Sequence, residues 1–396
     1  MVINSIYSLI RPSSWASPPA KYSYSSLLNI EKCPLQWQMM HSSYHDFDAF
    51  PARPNPAAVE GQIVHSVLEK LFKMFIVEGL PKMATSDFKR AVANVDMRGT
   101  IRLEIENHKR RINSHPRGAA FSMRSNQQQL SNKVIRLFRS IYPQVCKSYP
   151  KKRLLKKDFR SEAKVSSDQN PLNFLKNHGA ISELKLYHQE LCFTGIIDLV
   201  WDDSGDIVIS DFKTGKFHSE YNEQLLFYAV LWWKVTGTTP KRLEVCYPDG
   251  IDSFSLKKEQ MVENENFLKS RISNATKALS DIPANANVDK DCIFCDVRQF
   301  CHSYWERVDQ KFSESLLRNH NGSNVDVKLE VAGQPSEYGF EAVSTNGGRI
   351  SVVYESGLLK VHGPFTQGNT IYILNGSVKN KGKELELKPW TEVFHH

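Results

Sequence analysis

The sequence predicts an α/β protein built on a mixed sheet, followed by a small all-β domain. Three observations predict this. Two strand-like runs, ELKLYHQELCFTGIIDLVW and DIVISDFK, follow a long segment of helical periodicity. The helical EQLLFYAVLWWKVTG and another strand-like run, KRLEVCYP, come next, so helices and strands alternate as in an α/β core. From Val325 onward the texture changes to short strands between Gly- and Asn-rich turns.

Bulk properties bound the reading. A chain of 396 residues can bury a sizeable core and hold more than one domain. With 41% hydrophobic and 24% charged residues, wholesale disorder is excluded. Lys plus Arg exceed Asp plus Glu by 51 to 43, a formal net charge of +8, which suits a polyanionic partner. A membrane surface or simple solubility fits that number too. The positives cluster in HKRR at His108–Arg111 and in KKRLLKK, where Lys151, Lys152, Arg153, Lys156 and Lys157 are candidates for a phosphate track. A solvated helix face accounts for either run equally well. No run of about eighteen apolar residues occurs, so no membrane partner is expected. The N-terminus lacks a basic segment followed by a long apolar run, so secretion is not expected. Seven cysteines without a regular framework point to a reducing, cytoplasmic setting with metal-binding thiolates rather than disulfides.

Residues 1–50 are loop-rich up to YSSLLNIEKCPLQWQMM, which reads as a short helix broken at Cys33-Pro34. After ARPNPA comes an amphipathic helix over about 57–78, with Ile63, Val64, Val67, Leu68, Leu71, Phe72, Phe75 and Ile76 on one stripe. Residues 86–145 are polar and basic, with apolar residues at helical spacing. The helix containing EQLLFY ends at Gly237. The polar stretch 316–324 reads as a linker. Beyond it VKLEVAG, GFEAVST, GRISVVYES, LLKVHGPF, NTIYILNGSV and ELELKPWTEVF give about five strands, an OB-like barrel. An SH3-like barrel would read almost the same. The expected division is a loop segment at 1–21, a core domain at 22–315, the linker and a barrel at 325–396.

GIIDLVWDDSGDIVISDFKTGK, Gly195–Lys216, carries the most chemistry. A four-residue DDSG turn pairing Trp201 with Asp206 sets Asp198 across from Ile209. Asp211 and Lys213 follow at steps of two, so all three side chains share a face. Two close carboxylates repel unless a cation lies between them, and hard oxygens suit Mg²⁺ or Mn²⁺. A surface salt bridge is the plainer alternative, but both strands are apolar around the charges.

The aspartate followed by SDFKTG resembles the PD-(D/E)xK nuclease signature in its RecB-like branch, and EQLLFY supplies the Gln224 and Tyr228 of that branch's Q-L-x-x-Y helix. GQIVHSVLE at Gly61–Glu69 is similar to its G-x-x-x-H-x-x-LE helix. The resemblance implies a restriction-endonuclease-like core. It implies metal ligation by His65, Asp198, Asp211 and the carbonyl of Phe212, with Glu183 as a further acidic ligand. Lys213 would position the attacking water, with Gln224 and Tyr228 supporting it or touching phosphate. Ser210 and Phe212 depart from the usual proline and tyrosine. The stretch 80–180 matches no motif and is expected to be a helical insertion.

DCIFCDVRQFC places Cys292, Cys295 and Cys301 in a C-x2-C-x5-C pattern, short of a fourth local ligand except His302. The AddB-type and CRISPR-adaptation nucleases of the same branch share one cysteine before the core and three after it, as Cys33-Pro34 and this trio do. That resemblance implies a [4Fe–4S] cluster on the four sulfurs; Zn²⁺ suits the same thiolates. Cys146, Cys192 and Cys246 read as ordinary buried cysteines.

The expected function is that of a metal-dependent DNase acting on single-stranded DNA or DNA ends, in repair, recombination or antiviral defence. Tyr354, Lys360, Phe365, Tyr372 and Lys379 are candidates for a strand-gripping barrel surface, or equally for its core. A non-catalytic DNA-binding subunit is the alternative. No G-x4-G-K-[ST] occurs, so any unwinding falls to a separate helicase.

Overall fold

The computed structural model describes residues 6–8, 11–45, 48–118, 121–148, 170–311, 321–345, 347–355 and 366–395. The basic run KKRLLKK, the strand candidate LLKVHGPF and the barrel candidates Lys360 and Phe365 lie outside them.

Helices α1 (Tyr24–Lys32) and α2 (Pro34–His41) are split at Cys33, as Cys33-Pro34 predicts. Cys33 is extended, with φ −161° and ψ 105°, and Pro34 takes the first helical position, where its missing N–H costs nothing. Asn55 caps α3 (Pro56–Val77), accepting from the N–H of Ala57 and Ala58. The predicted stripe of α3 is buried against α6 (Gln127–Ser148), beside α4 (Ser86–Val95) and α5 (Met97–Asn113). α7 is Pro171–His178.

The central sheet has the order β2 (Ala180–His188), β3 (Phe193–Asp203), β4 (Asp206–Phe212), β5 (Arg242–Tyr247) and β6 (Gly250–Ser255). Only β4 and β5 are parallel, joined through α8 (Glu220–Thr236), so the sheet is mixed. Gly237, at φ 74°, ends α8 where the sequence predicts. Val200, Ile209 and Leu243 pack with α8, α9 (Gln260–Ala278) and α1; Leu199, Trp201 and Val208 pack with α3 and α6. Alternate residues thus serve two helical layers.

α10 (His302–Lys311) leads toward the second unit. There β7 (Asn324–Val331), β8 (Gly339–Ser344), β9 (Arg349–Tyr354), β11 (Glu384–Leu387) and β10 (Thr370–Lys379) form a ring that β10–β7 pairing closes. The parallel β9–β11 pair distinguishes this barrel from an all-antiparallel one and fits the OB-like expectation. ELELKPWTEVF is two strands, not one: β12 (Glu392–His395) leaves the ring beside β10. The expected N-terminal loop segment contains β1 (Ile6–Ser8), which pairs in parallel with β12. Three residues leave no periodicity to read, and the partner is distant in sequence.

The barrel is seated on the core by buried charge. Glu392 accepts from Arg117 Nε at 2.7 Å and from Arg53, while Asp326 of β7 accepts from Arg298 and from Tyr304 Oη. Trp305 meets Tyr372 edge-on at 5.0 Å, so Tyr372 belongs to this seam. Tyr354 is buried in the barrel and donates to the carbonyl of Ser336. Lys379 pairs with Glu386 at 3.7 Å.

Candidate active site

The β3–β4 turn is shorter than predicted. Asp203 pairs with Asp206, leaving only Ser204 and Gly205, with φ 58° and 102°, as the turn. Two consecutive positive φ values match the twist of a tight hairpin. Trp201 therefore faces Val208 and Val200 faces Ile209, two residues from the predicted register. An even offset leaves side-chain parity unchanged, so Asp198 and Asp211 remain neighbours. Both are buried, at 7% and 3% exposure. The N–H of Phe212 donates to Asp198 Oδ2 at 2.6 Å, tying the two acidic strands together.

His65 reaches this point from α3. Its Nδ1 lies 3.4 Å from Asp198 Oδ1. Phe212, stacked on Phe72 at 5.5 Å, helps dock α3 against the hairpin. Glu183 comes from β2, where Ser182–Leu199 and Leu184–Ile197 pairs flank it. Its φ of 53° is costly for a residue with a Cβ, about 1–3 kcal/mol. One donor atom each from His65, Glu183 and Asp198 lies within 4.8 Å of the others.

Electrostatics reports the crowding. Burial raises the Glu183 carboxyl to about 7, with Asp198 adding to the rise. Burial and then Asp198 also push Asp211 up, against the pull of Lys213. Burial alone would lower His65, but Asp198, Asp211 and Glu183 outweigh it and raise the imidazole to about 9. Lys213 Nζ lies 2.6 Å from Asp211 Oδ2, outside hydrogen-bonding angles, so that oxygen is buried without a hydrogen-bond donor. An imidazole nitrogen with hard carboxylate oxygens is a donor set that fits Mg²⁺ or Mn²⁺.

Gln224 and Tyr228 stand behind the lysine. Lys213 Nζ donates to Gln224 Oε1 at 3.0 Å, and Gln224 Nε2 donates to Tyr228 Oη at 2.7 Å. Tyr228 approaches β3 closely because residue 195 is glycine: a Cβ there would sit 2.6 Å from the ring. Tyr221, not singled out from sequence, puts its ring 4.7 Å below the Lys213 ammonium. Its place one turn before Gln224 on α8 was the available signal.

The four cysteines predicted as a set share one region of the fold. Cys33, Cys292, Cys295 and Cys301 line one cavity of ≈ 50 Å³. Backbone N–H groups of Gln36 and Asp289 point at the sulfurs of Cys33 and Cys292, at 3.4 and 3.3 Å. Burial raises Cys295 to about 12 and raises Cys292 and Cys301 as well. Four thiols lining one cavity, two of them facing backbone N–H donors, are the soft ligand type of a thiophilic metal group. His302 instead stands beside Glu306, its side chain 87% exposed. Cys146 and Cys246 are buried as expected, but Cys192 is exposed, because it sits in the β2–β3 turn at φ 48°.

The family model of the PD-(D/E)XK nuclease superfamily matches residues 21–302, most of the chain. No curated protein matches the sequence. Among the described residues no helix is long and apolar enough to cross a membrane.

Proposed function

The chain belongs to the PD-(D/E)XK nuclease superfamily, and from that membership we propose that it is a Mg²⁺- or Mn²⁺-dependent DNase that hydrolyses single-stranded DNA or DNA ends. The observation that carries the reading is the convergence of His65, Glu183 and Asp198 beside Asp211, whose neighbour Lys213 is held by Gln224 and Tyr228.

In this reading His65, Asp198, Asp211 and the carbonyl of Phe212 hold the divalent ion, and Glu183 completes the acidic side. The ion, when bound, neutralises charge on the scissile phosphate and polarises it. Asp198 is fixed by the Phe212 N–H, so it needs no reorganisation to serve as a ligand. Lys213 orients the attacking water by N–H donation, its own direction set by Gln224. Tyr228 orients Gln224 in turn by accepting from its Nε2, and its phenol stays neutral because burial raises it well above the usual range.

The cysteines hold a [4Fe–4S] cluster in the same reading. It closes a loop of about 260 residues, from Cys33 to Cys292, around the nuclease core. The shared cavity and the N–H groups aimed at the sulfurs support a metal group of this soft class.

Labelled single-stranded and blunt duplex DNA, incubated with Mg²⁺ or Mn²⁺, tests the proposal against Lys213→Ala. Cutting that needs the ion and is lost in the variant is expected; equal activity in the variant would sink it. Iron and sulfide analysis of anaerobically purified protein tests the cluster, and zinc without iron would replace it.

A further inference from the structure

The parallel pair β4–β5 opens at its carboxyl ends onto a cleft of ≈ 660 Å³ that adjoins the candidate active site. One wall is Thr214–Phe217, the segment leaving Lys213; the other begins at Tyr247, where β5 ends. The Lys213 N–H donates to the Cys246 carbonyl at 2.9 Å, which holds the two walls side by side. In sheets with parallel strands, ligands collect at this end.

Two features of the cleft lack a structural purpose. Phe217 is 57% exposed, although a phenyl ring of that size is ordinarily packed. The Tyr247 hydroxyl is buried with no hydrogen-bond partner among the described residues, a state that costs free energy. Asp249 and Asp252 stand on the far wall, so phosphates are unwelcome there while the polar edges of bases are not. Asp249 is itself anchored by Arg136 at 3.3 Å.

We propose that this cleft is a base-stacking subsite for single-stranded DNA: it receives a nucleobase next to the scissile phosphate, against the Phe217 ring. The proposal rests on the nuclease reading and adds how the strand is held. An aromatic platform is tolerant of sequence, and a base on such a platform is worth about 1–3 kcal/mol, equivalent to roughly 5- to 150-fold in affinity. A duplex cannot present a base this way without unstacking it, so the subsite favours single strands.

The test uses the full protein and single-stranded oligonucleotides in which one abasic residue is stepped past the cut. For wild type, one position should raise KM at least fivefold. Phe217→Ala should raise KM to a similar degree on intact DNA, leave kcat within about twofold, and abolish the abasic penalty; Phe217→Trp should restore both. An abasic penalty that persists in Phe217→Ala, with cutting intact, overturns the subsite and leaves the nuclease reading standing. A wild type that neither cuts these strands nor quenches 2-aminopurine placed within them overturns both.

Discussion

The N–H of Phe212 donates to the Asp198 carboxylate at 2.6 Å, so the strand bearing Asp211 also fixes its neighbour's acidic side chain. The acidic pair is thereby placed by sheet pairing itself, and His65 joins it from a helical layer. Lys213 follows immediately, held by α8.

Lys213→Ala is expected to lower kcat by roughly 10²–10⁴-fold with little change in KM. Gln224→Ala leaves the ammonium misdirected and should cost roughly ten- to a hundredfold. Tyr228→Phe removes only the last link and should cost a few-fold. Steady-state kinetics on one substrate ranks the three; an order with Tyr228→Phe as the most damaging would contradict the relay.

Ion binding should take up no protons and release some. In the ion-free fold His65 is raised to about 9 and Glu183 to about 7, so both carry protons at neutral pH in part or in full. A ligand must shed its proton, so affinity for Mn²⁺ should climb as pH rises through about 7 and level off above about 9. Calorimetric titration in buffers of different ionisation enthalpy measures the released protons directly. Affinity independent of pH would show that these groups do not bind the ion.

Gly195→Ala pushes a methyl to 2.6 Å from Tyr228 Cε1 and 3.4 Å from Leu231 Cδ2. Overpacking of this kind should destabilise the fold by about 1–3 kcal/mol. Because the displaced ring carries Gln224, activity should also fall in enzyme that remains folded. Denaturant melts alongside kinetics separate the two effects.

Arg117 has a fully buried side chain between core and barrel, on Glu392. Removing it as Arg117→Met leaves the buried Glu392 carboxylate with Arg53 as its remaining cation, at a cost of up to about 3 kcal/mol. Burial alone would raise Glu392, but Arg117 and Arg53 outweigh that and lower it below its ordinary value of about 4.5. Its contribution is thus present above that value and fades as pH falls through the lowered one. Protease sensitivity of the seam, followed as the solution is acidified, should appear earlier in the variant.

Periodicity was enough for α3, α8 and the alternation of helix and strand, because each buries a regular stripe. The face shared by Asp198 and Asp211 was legible too, although the hairpin register was not. DDSG accommodates either a four-residue or a two-residue turn, and only the positive φ of Ser204 decides. The position of Glu183 depends on a left-handed backbone kink in β2, which no pattern of residue types announces. Tyr354 and Tyr372 look alike in sequence; one points into the barrel and the other packs on Trp305. Cys192, without partner spacing, reads as an ordinary buried cysteine, but a turn carries it outward.

β1 at Ile6–Ser8 pairs with β12 at Glu392–His395, and this has a consequence for synthesis. On the ribosome the first strand emerges long before its partner, at about 5–20 residues per second a delay on the order of 20–80 s. The nuclease core and all four cysteines are translated within that interval. A nascent chain can therefore assemble its catalytic half while its leading strand waits unpaired, and the β1–β12 pairing is among the last contacts to form.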